Sequence, residues 1–499
     1  MSAIGSILTN DGALQALNSI RNASNETTMY QTQLSSGKTI NSPADNPAGY
    51  ITTQGFTSQI NGVQQATSNA NQGVSLLQTA QGAIENQTNI LQKLNSIAVQ
   101  AANGTQTTAE AQSLQSVVGQ LTSQINTVAN QTQFNNINLL DGNFNGVQFQ
   151  VGAQNGQTIS LSIQGTDANS LGMQASQAIT GGSGSSQIYA SGSEGVLTKG
   201  SGSAGGFSAG TVTIKGSNGS SSVSVTANES AKSIADAVNT LTGKTNVQAQ
   251  ATTQMAFTVG GSSWSFDLGN GSAGNISNKV HIAATGSAKD LANAINNHTS
   301  QTGVAATVNS AGNLVLTQSA GQNIAITNAS SSAGKLTQAQ AGASGAPSAS
   351  TAVQIGGSSA AAASATIQGQ VQFQSDQTFS LGSGSNIGLG NQSSLDSVSS
   401  IDVSSTGKAS TAINIVKYAL QRLGSEGGRL GAVQQRLQDN ISNLNTTNQN
   451  LTSARSVVQD ANIPQVSQKL TQMQIQEQAG VSALRSSSQL QQAFLKLLP

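Results

Sequence analysis

The fold follows from residues 430–498, which read LGAVQQRLQDNISNLNTTNQNLTSARSVVQDANIPQVSQKLTQMQIQEQAGVSALRSSSQLQQAFLKLL. Apolar side chains recur there in steps of four and three residues, which brings them onto one side of a helix. Pro464 divides the pattern into two series: Leu437, Ile441, Leu444 and Leu451 before it, and Val466, Leu470, Met473, Leu484, Phe494 and Leu498 after it. Glu477, Ser487 and Gln491 dilute the second series. We therefore expect long helices that bury little surface without a partner.

The other end of the chain repeats this pattern. Its series combines apolar and polar positions, which are Ala13, Leu17, Ile20, Ser24, Thr27, Gln31 and Leu34. Two weakly apolar helices at opposite ends of one chain favour a surface for assembly with other molecules. The core of a soluble helical bundle or coiled coil is the alternative that the pattern leaves open.

A stronger apolar series begins with Phe56, Ile60 and Val63, and it predicts a long helix that ends at Asn103-Gly104. A second helix is predicted over residues 111–128. Because the connection between the two helices is short, we expect them to lie antiparallel.

Two other segments are predicted to be non-helical. Leu34–Gly49 reads LSSGKTINSPADNPAG, and its prolines, glycines and turn-forming residues predict a structured loop. Apolar residues alternate with polar ones over 147–151 and 159–163, on either side of Asn155-Gly156, which is typical of a β-hairpin.

Residues 179–397 have a different character, since they are rich in Gly, Ser and Ala and contain short strand-like runs. The segment SAKSIADAVN (Ser230–Asn239) recurs as SAKDLANAIN (Ser287–Asn296). In each copy a short amphipathic helix opens on Ser and strands follow. We interpret this territory as two α+β modules inserted between the helical arms.

These segments predict a mostly α-helical fold, an antiparallel helix bundle or coiled coil built from both termini, with a β-hairpin and an inserted α+β, β-rich outer region. The predicted domains are residues 1–45 with 455–499, residues 46–178 with 398–454, and residues 179–397.

The amino-acid composition limits which partners and cellular locations we expect for the chain. Only 8% of residues are charged, and 19 Lys and Arg balance 19 Asp and Glu, so neither nucleic acid nor an anionic membrane is an expected partner. The chain has no Cys, no apolar run long enough to span a membrane, and an N-terminus unlike a cleavable secretory signal. We expect a cytosolic protein, or one exported by a route that reads an uncleaved N-terminus.

No chemistry is predicted from the side chains. His281 and His298 are the two histidines, and they stand apart in the sequence with few acidic residues nearby. The glycine-rich run over residues 200–205 matches the letters of a dinucleotide-binding loop, but a strand-like run follows it where that loop needs a helix. We therefore predict no catalytic residue, cofactor or metal site.

Several motifs in series resemble those of bacterial flagellins, the subunits of the flagellar filament. They include LSSGKTINSPADNPAG, NANQGVSLLQTAQGAI (Asn69–Ile84) and TQFNNINLLDG near the N-terminus, and NLTSARSVVQDA (Asn450–Ala461) and QAGVSALRSSSQLQQAFLKLL (Gln478–Leu498) near the C-terminus. The resemblance covers roughly residues 1–178 and 398–499. The repeated modules resemble a short insert in the variable region of many flagellins and hook-associated proteins.

The resemblance implies a non-enzymatic subunit that polymerises with itself into an extracellular filament for swimming motility. It implies type III export and, as partners, an export chaperone, the cap and the hook-associated proteins. The terminal helices would line a central channel, the next helices would form a second shell, and the variable region would project outward and carry possible glycans. A hook–filament junction protein, a relative with similar ends, is the alternative.

The resemblance also implies a candidate helix for recognition by an innate immune receptor, at Leu91, Lys93, Ile97 and Gln100. Many flagellins carry a charged version of this segment. Here Lys93 stands for the first Arg of that version, and Asn95 and Ser96 replace an Arg and a Glu.

Overall fold

The computed structural model describes residues 10–103, 106–176, 179–180, 188–191, 207, 209–226, 229–272, 275–309, 312–329, 335–338, 354–355, 364–383 and 392–496. The chain divides into two compact units. Unit 1 comprises residues 1–80, 144–163 and 429–499, and unit 2 comprises residues 81–143 and 164–428. The glycine-rich run at 200–205 and Leu498 lie outside the described residues.

The long helices in the described part of the chain come from its two ends, as the apolar periodicity predicts. They are α1 (Asp11–Ser36), α2 (Pro47–Ala101), α3 (Thr108–Gln131), α8 (Thr406–Gln459) and α9 (Ile463–Lys496). Helix α8 runs through Gly427-Gly428 without interruption. The helical conformation is interrupted at residues 460–462, between α8 and α9 and just before Pro464.

Helix α2 begins at Pro47, earlier than its predicted start at Phe56. The Asn46 Oδ1 atom accepts a hydrogen bond from the Gly49 N–H at 2.9 Å, so Asn46 caps the helix. Proline suits the first helical position because its missing N–H has no partner there in any helix. The predicted loop is therefore wrong at its C-terminal end, since Pro47 and Gly49 belong to the helix.

Unit 1 contains a hairpin of β3 (Val147–Gln150) and β4 (Thr158–Leu161), with Phe149 opposite Ile159. This confirms the predicted hairpin, although its turn is longer than the Asn155-Gly156 pair. The hairpin rests on α2, because Asn69 Nδ2 donates to the Gln150 carbonyl at 3.1 Å.

In unit 2, α2 and α3 lie antiparallel, as predicted. The side chain of Gln87 is fully buried between them, and its Nε2 donates to the carbonyls of Ile125 and Thr166 at 3.3 and 3.1 Å. Thr107 and Glu110 form a capping box that starts α3.

The rest of unit 2 is rich in strands. Its short elements, in chain order, are β1 (Gln133–Phe134), β2 (Ile137–Asn138), β5 (Gly172–Ala175), β6 (Ile179–Thr180), β7 (Ile188–Ser191), β8 (Gly210–Gly216), β9 (Gly219–Val225), α4 (Ala231–Asn239), α5 (Thr242–Thr245), β10 (Gln248–Gly260), β11 (Ser263–Ser272), β12 (Asn275–Thr285), α6 (Ala288–Asn296), α7 (Thr299–Thr302), β13 (Val304–Val308), β14 (Leu314–Gln318), β15 (Ile324–Thr327), β16 (Lys335–Gln338), β17 (Gln354–Ile355), β18 (Ser364–Ile367), β19 (Gln370–Ser375), β20 (Ser380–Ser383) and β21 (Ser394–Ser397).

Strand β10 organises the largest sheet, whose order is β13-β14-β10-β19-β5-β21. A second sheet has the order β12-β11-β15-β18-β7, and a third has the order β20-β8-β9. All of the pairings are antiparallel. The large sheet includes β5 (Gly172–Ala175), so it extends beyond residues 179–397 on the N-terminal side.

The two sequence repeats fold alike, as predicted. Asn239 at the end of α4 exchanges two hydrogen bonds with the backbone of Ala249, at 2.8 and 3.0 Å. Asn296 at the end of α6 makes the same pair of bonds with Ala306, at 2.7 and 2.8 Å. Each helix is thereby fixed to the strand that follows it.

Strand β10 is attached to α8 by side-chain hydrogen bonds. Tyr418 is buried and donates to Gln248 Oε1 at 3.1 Å, and Asn414 Nδ2 donates to Gln250 Oε1 at 2.8 Å. Burial, with a contribution from the charge of Asp376, raises the pKa of Tyr418 to about 12, so this phenol remains a donor at neutral pH. The described fold is mostly helical at the chain ends and β-rich in the middle, which confirms the predicted class.

Candidate assembly surface

Helices α1 and α9 pack against each other in antiparallel fashion over their described length. Ser487 Oγ donates to Asn10 Oδ1 at 2.9 Å near one end of the pair, and Lys469 Nζ lies 5.8 Å from the centre of the Tyr30 ring farther along. At the other end the Thr39 N–H donates to the Gln459 carbonyl at 2.6 Å. The first and last described helices therefore form one long antiparallel pair.

The apolar surface buried between these two helices is thin. Ala23 is the buried residue of α1, and Val466 is the buried hydrophobic residue among the side chains of α9 that the structure describes. The side chains of Leu17, Ile20, Leu470, Met473 and Leu484 are half-buried. The backbones approach closely at Gly480, where an added Cβ would lie 2.7 Å from Ile20 Cγ1. Gly480 thus allows close contact but contributes no side chain.

Large apolar side chains on the same two helices remain exposed. Leu14 is 54% and Ile475 is 61% exposed, and Met29, Leu34 and Val481 are also exposed. Because half-burial stabilises much less than full burial, this pair gains little from the hydrophobic effect by itself.

The register of α1 differs from the predicted one after Ile20. The inward positions continue as Ala23, Thr27 and Tyr30, while Ser24, Gln31 and Leu34 point toward solvent. Each continuation mixes apolar and polar residues, so hydrophobicity alone does not distinguish them. In the sequence, the large aromatic ring of Tyr30 favours the observed series of inward positions.

On α9 the inward positions match the predicted series as far as Ser487. The backbone of Phe494 belongs to α9, but its side chain lies outside the described residues, as does all of Leu498.

A second, denser contact in unit 1 joins α2 to α8. Ile60, Val63, Leu437 and Leu444 are buried, and Phe56, Ile441 and Leu451 are half-buried. Gly73 faces this contact, since an added Cβ would lie 3.1 Å from Leu437 Cδ1 and 3.5 Å from Phe149 Cδ1. The structure thus brings the predicted residues of these two helices together.

An open groove of about 810 Å³ lies between the hairpin tip and helices α2 and α8. Its lining combines apolar Val63, Ile159 and Leu444 with polar Arg436 and Asp439. A surface of this mixed character suits contact with a protein better than binding of a small apolar ligand.

The loop from α1 to α2 is held by one carboxylate. Asp45 Oδ2 accepts hydrogen bonds from the backbone N–H groups of Asn41 and Ser42, at 2.9 and 2.8 Å, and these bonds lower the pKa of Asp45. Within the described residues, no group of three or more His, Cys, Asp or Glu side chains is placed to hold a metal ion. No described helix combines the length and hydrophobicity needed to cross a membrane.

The candidate receptor helix lies in the unit 2 part of α2. Lys93 and Gln100 are exposed and Ile97 is half-buried, whereas Leu91 is fully buried. Leu91 therefore packs in the interior, and the prediction that it belongs to a receptor-binding surface is wrong.

Models of three protein families match the chain. They are the bacterial flagellin N-terminal helical region over residues 7–145, the bacterial flagellin C-terminal helical region over residues 413–498, and the flagellin hook IN motif over residues 265–320.

Individual relatives agree with these matches. The chain is 35% identical to the B-type flagellin of Pseudomonas aeruginosa, over 98% of this chain and 99% of the relative. It is 43% identical to a flagellin of Clostridium tyrobutyricum, over 26% of this chain and 35% of that one. Among solved structures it is similar to FliC from Burkholderia pseudomallei, with 19% identity, a TM-score of 0.30 and coverage of 73% of this chain and 99% of that one.

Proposed function

The chain belongs to the bacterial flagellin family, and we propose that its filament is held together mainly by the paired helices α1 and α9. The family consists of structural proteins rather than enzymes. The chain is accordingly a subunit that is exported from the cell and polymerises with copies of itself into the flagellar filament.

The proposal rests on one observation, the thin burial between α1 and α9 beside exposed apolar residues. Two long helices that bury few side chains are marginal in isolation. Copies of the same helices in neighbouring subunits would cover Leu14, Ile475 and Val481, and this added burial would stabilise the ordered state by mass action.

The proposal assigns each segment of the chain to a layer of the filament. Residues 1–45 with 455–499 would form the innermost layer around a channel, and residues 46–178 with 398–454 would form the next layer. Residues 179–397 would face outward. The predicted contact residues of α1, α2, α8 and α9 would then lie on contacts within or between subunits, and the break before Pro464 would act as a hinge between layers.

Deletion of residues 467–499 tests this proposal. It removes nearly all of α9, so we expect no filaments by electron microscopy after seeded polymerisation, while circular dichroism still reports a folded helical and β core. As a control, a short linker replaces residues 172–397, which removes the outer region together with β5 and the edge strand β21. This variant should still polymerise. Normal filaments from the first variant would contradict the proposal.

Further partners are also proposed from family membership. An export chaperone, the filament cap and hook-associated proteins would contact the terminal helices during type III export and assembly, and glycans would be attached to Ser and Thr of the outer region. The intact mass of secreted subunit, compared with the sequence mass of 50.1 kDa, tests for glycans. Equal masses would exclude them.

Recognition by an innate immune receptor would involve Lys93, Ile97 and Gln100, on the face of α2 that includes the exposed Lys93 and Gln100. Replacing Lys93 with Ala should weaken activation of a receptor-expressing reporter cell line by the monomer, while substitution of the buried Leu91 would act only through folding. An unchanged response to the Lys93 variant would remove this residue from the proposed contact.

A further inference from the structure

Strands β11 and β12 of the outer region bring together a serine, a histidine and an aspartate. Ser265 and Asp267 lie two positions apart on β11 and therefore point to the same face of the sheet. The register places His281 of β12 directly opposite Asp267 and diagonally across from Ser265.

These side chains form a continuous hydrogen-bonded chain. His281 Nδ1 lies 2.8 Å from Asp267 Oδ1, and His281 Nε2 lies 3.4 Å from Ser265 Oγ. Because a carboxylate only accepts hydrogen bonds, the proton of the neutral imidazole belongs on Nδ1. The Nε2 lone pair then faces the Ser265 hydroxyl, as a general base faces its nucleophile.

Asp267 is fixed in the orientation that this chain requires. Its other oxygen, Oδ2, accepts from Lys279 Nζ at 2.8 Å and from Asn328 Nδ2 at 2.5 Å. Burial alone would raise the pKa of Asp267, but the hydrogen bonds from Lys279, His281 and Asn328 outweigh it and hold the pKa at about 2. Asp267 is therefore a carboxylate throughout the physiological range, and its Oδ1 remains directed at His281.

The site is open to solvent on the side where a substrate would approach. The side chain of His281 is 60% exposed and that of Asp267 is 10% exposed. A shallow depression of about 220 Å³ lies beside Ser265, with Ser263, Ala283 and Thr285 among its lining residues. Small side chains at these positions leave room for an acyl group next to Ser265 Oγ.

We propose that Ser265 is an acyl-acceptor site, in which His281 serves as general base and Asp267 positions His281. Ser265 Oγ attacks the carbonyl carbon of an activated ester or thioester and passes its proton to His281 Nε2. The bond from that carbon to the leaving group breaks, and the leaving group takes up the proton. Each reaction leaves one Ser265 acyl ester and one alcohol or thiol.

The modification is stoichiometric. Ser265 is the third residue of β11 and pairs with Ala283 of β12, so it does not lie at a turn that would gather two backbone N–H donors into an oxyanion hole. Hydrolysis of the acyl ester is therefore not accelerated by an oxyanion hole, and the acyl group remains on the filament surface.

The test incubates full-length protein with p-nitrophenyl acetate, follows p-nitrophenolate by absorbance and maps acetyl groups by tandem mass spectrometry. We expect one acetyl group per chain at Ser265, and its loss in Ser265→Ala. His281→Gln should slow acetylation by about 10²-fold, the lower end of what a positioned general base contributes. Unchanged filament formation and circular dichroism would establish that both variants are folded.

Matched controls come from the same chain. His298→Gln, which changes the other histidine of the chain, should leave acetylation of Ser265 unchanged. Ser222, whose hydroxyl lies 3.2 Å from that of Thr213 on an exposed strand pair without a histidine, should stay unmodified. Acetylation confined to lysine side chains, or an equal rate in the His281→Gln variant, would overturn the proposal.

Discussion

The outer region of unit 2 buries large side chains completely, whereas the paired helices α1 and α9 bury almost none. Phe257 and Phe373 are fully buried, each within an apolar cluster formed by several strands and a short helix. In α1 and α9, Leu17, Ile20 and Leu484 stay half-exposed. One chain thus combines a region that is stabilised by its own core with a helical pair that buries little apolar surface and that, in our proposal, needs neighbouring molecules.

The two regions also use glycine differently. At Gly321 (φ +74°) and Gly286 (φ +118°) of the outer region, glycine permits tight turns between strands and helices. At Gly480, glycine lets two helices approach each other where no large side chain is buried. We infer that close contact at Gly480 fixes the pairing of α1 with α9, and we propose that polymerisation supplies the free energy that orders them.

The largest expected effect distinguishes the core of the outer region from the contact between α1 and α9. Phe373→Ala should lower the free energy of unfolding of the outer region by about 3–5 kcal/mol, because it leaves a cavity. Leu484→Ala should change monomer stability by less than about 1 kcal/mol but raise the critical concentration for polymerisation about tenfold or more, equivalent to about 1.4 kcal/mol. Denaturant titration and sedimentation of filaments measure the two quantities.

Thr252→Ala, at an exposed position on β10, is the control and should alter stability by no more than about 0.5 kcal/mol. If Leu484→Ala destabilised the monomer as strongly as Phe373→Ala, the contrast between the two regions would be wrong.

A second pair of variants examines how independent the outer modules are. Asn239→Ala and Asn296→Ala each remove two hydrogen bonds to a following strand, which should cost about 2 kcal/mol at about 1 kcal/mol per bond. Because the repeats fold alike, the two losses should be similar, and each should increase hydrogen exchange mainly within its own module. Filament yield should not change; a loss of filaments in either variant would connect the outer cores to assembly.

The pH dependence should also differ between regions. The pKa of Asp267 is depressed to about 2 in the folded state, so its contribution of about 2 kcal/mol is present above the unfolded value near 4 and is lost as pH falls from about 4 to about 2. Asp402 has a pKa of about 2 for the same kind of reason, chiefly its bond to Lys408, but it is more exposed and contributes less. Thermal unfolding of the outer region should therefore change little between pH 7 and about 4.

Asp267→Asn should abolish most of the loss of stability below about pH 4. The chain's low content of charged residues further predicts filaments that persist in light scattering down to about pH 3, where a charge-rich flagellin used as control depolymerises. Depolymerisation of both at the same pH would remove the case for acid tolerance.

The smallest effect concerns the close contact of α1 with α9. In an open helical site such as Gly119, where nothing lies within 4 Å of an added Cβ, Gly→Ala should stabilise by about 1 kcal/mol through helix propensity. At Gly480 the added Cβ would meet Ile20, so Gly480→Ala should gain nothing and should impair polymerisation by about 1 kcal/mol. Equal gains at both sites would show that the helices do not meet there.

The sequence predicted those parts of the fold in which burial follows a simple period. The α2 and α8 series, the hairpin and the two repeated modules all have alternating or helical apolar spacing, and the structure confirms them. The predicted start of α2 is too late because proline and glycine usually end helices, whereas Asn46-Pro47 is a favourable helix start.

Other features depend on contacts that no local pattern encodes. Polar residues on both sides of α1 left its register ambiguous after Ile20. Ser265, Asp267 and His281 meet only through the register of β11 with β12, and Asn328 joins them from a segment far along the chain. No local sequence pattern therefore indicated that Asp267 lies beside His281.

Hydrogen exchange of backbone amides, measured by mass spectrometry on monomer and on filament, tests whether polymerisation orders α1 and α9. We predict that amides of α1 and α9 exchange rapidly in the monomer and slow by about a hundredfold or more in the filament, while amides of β10 are equally protected in both states. Protection of α1 and α9 in the monomer that matches that of β10 would contradict this account.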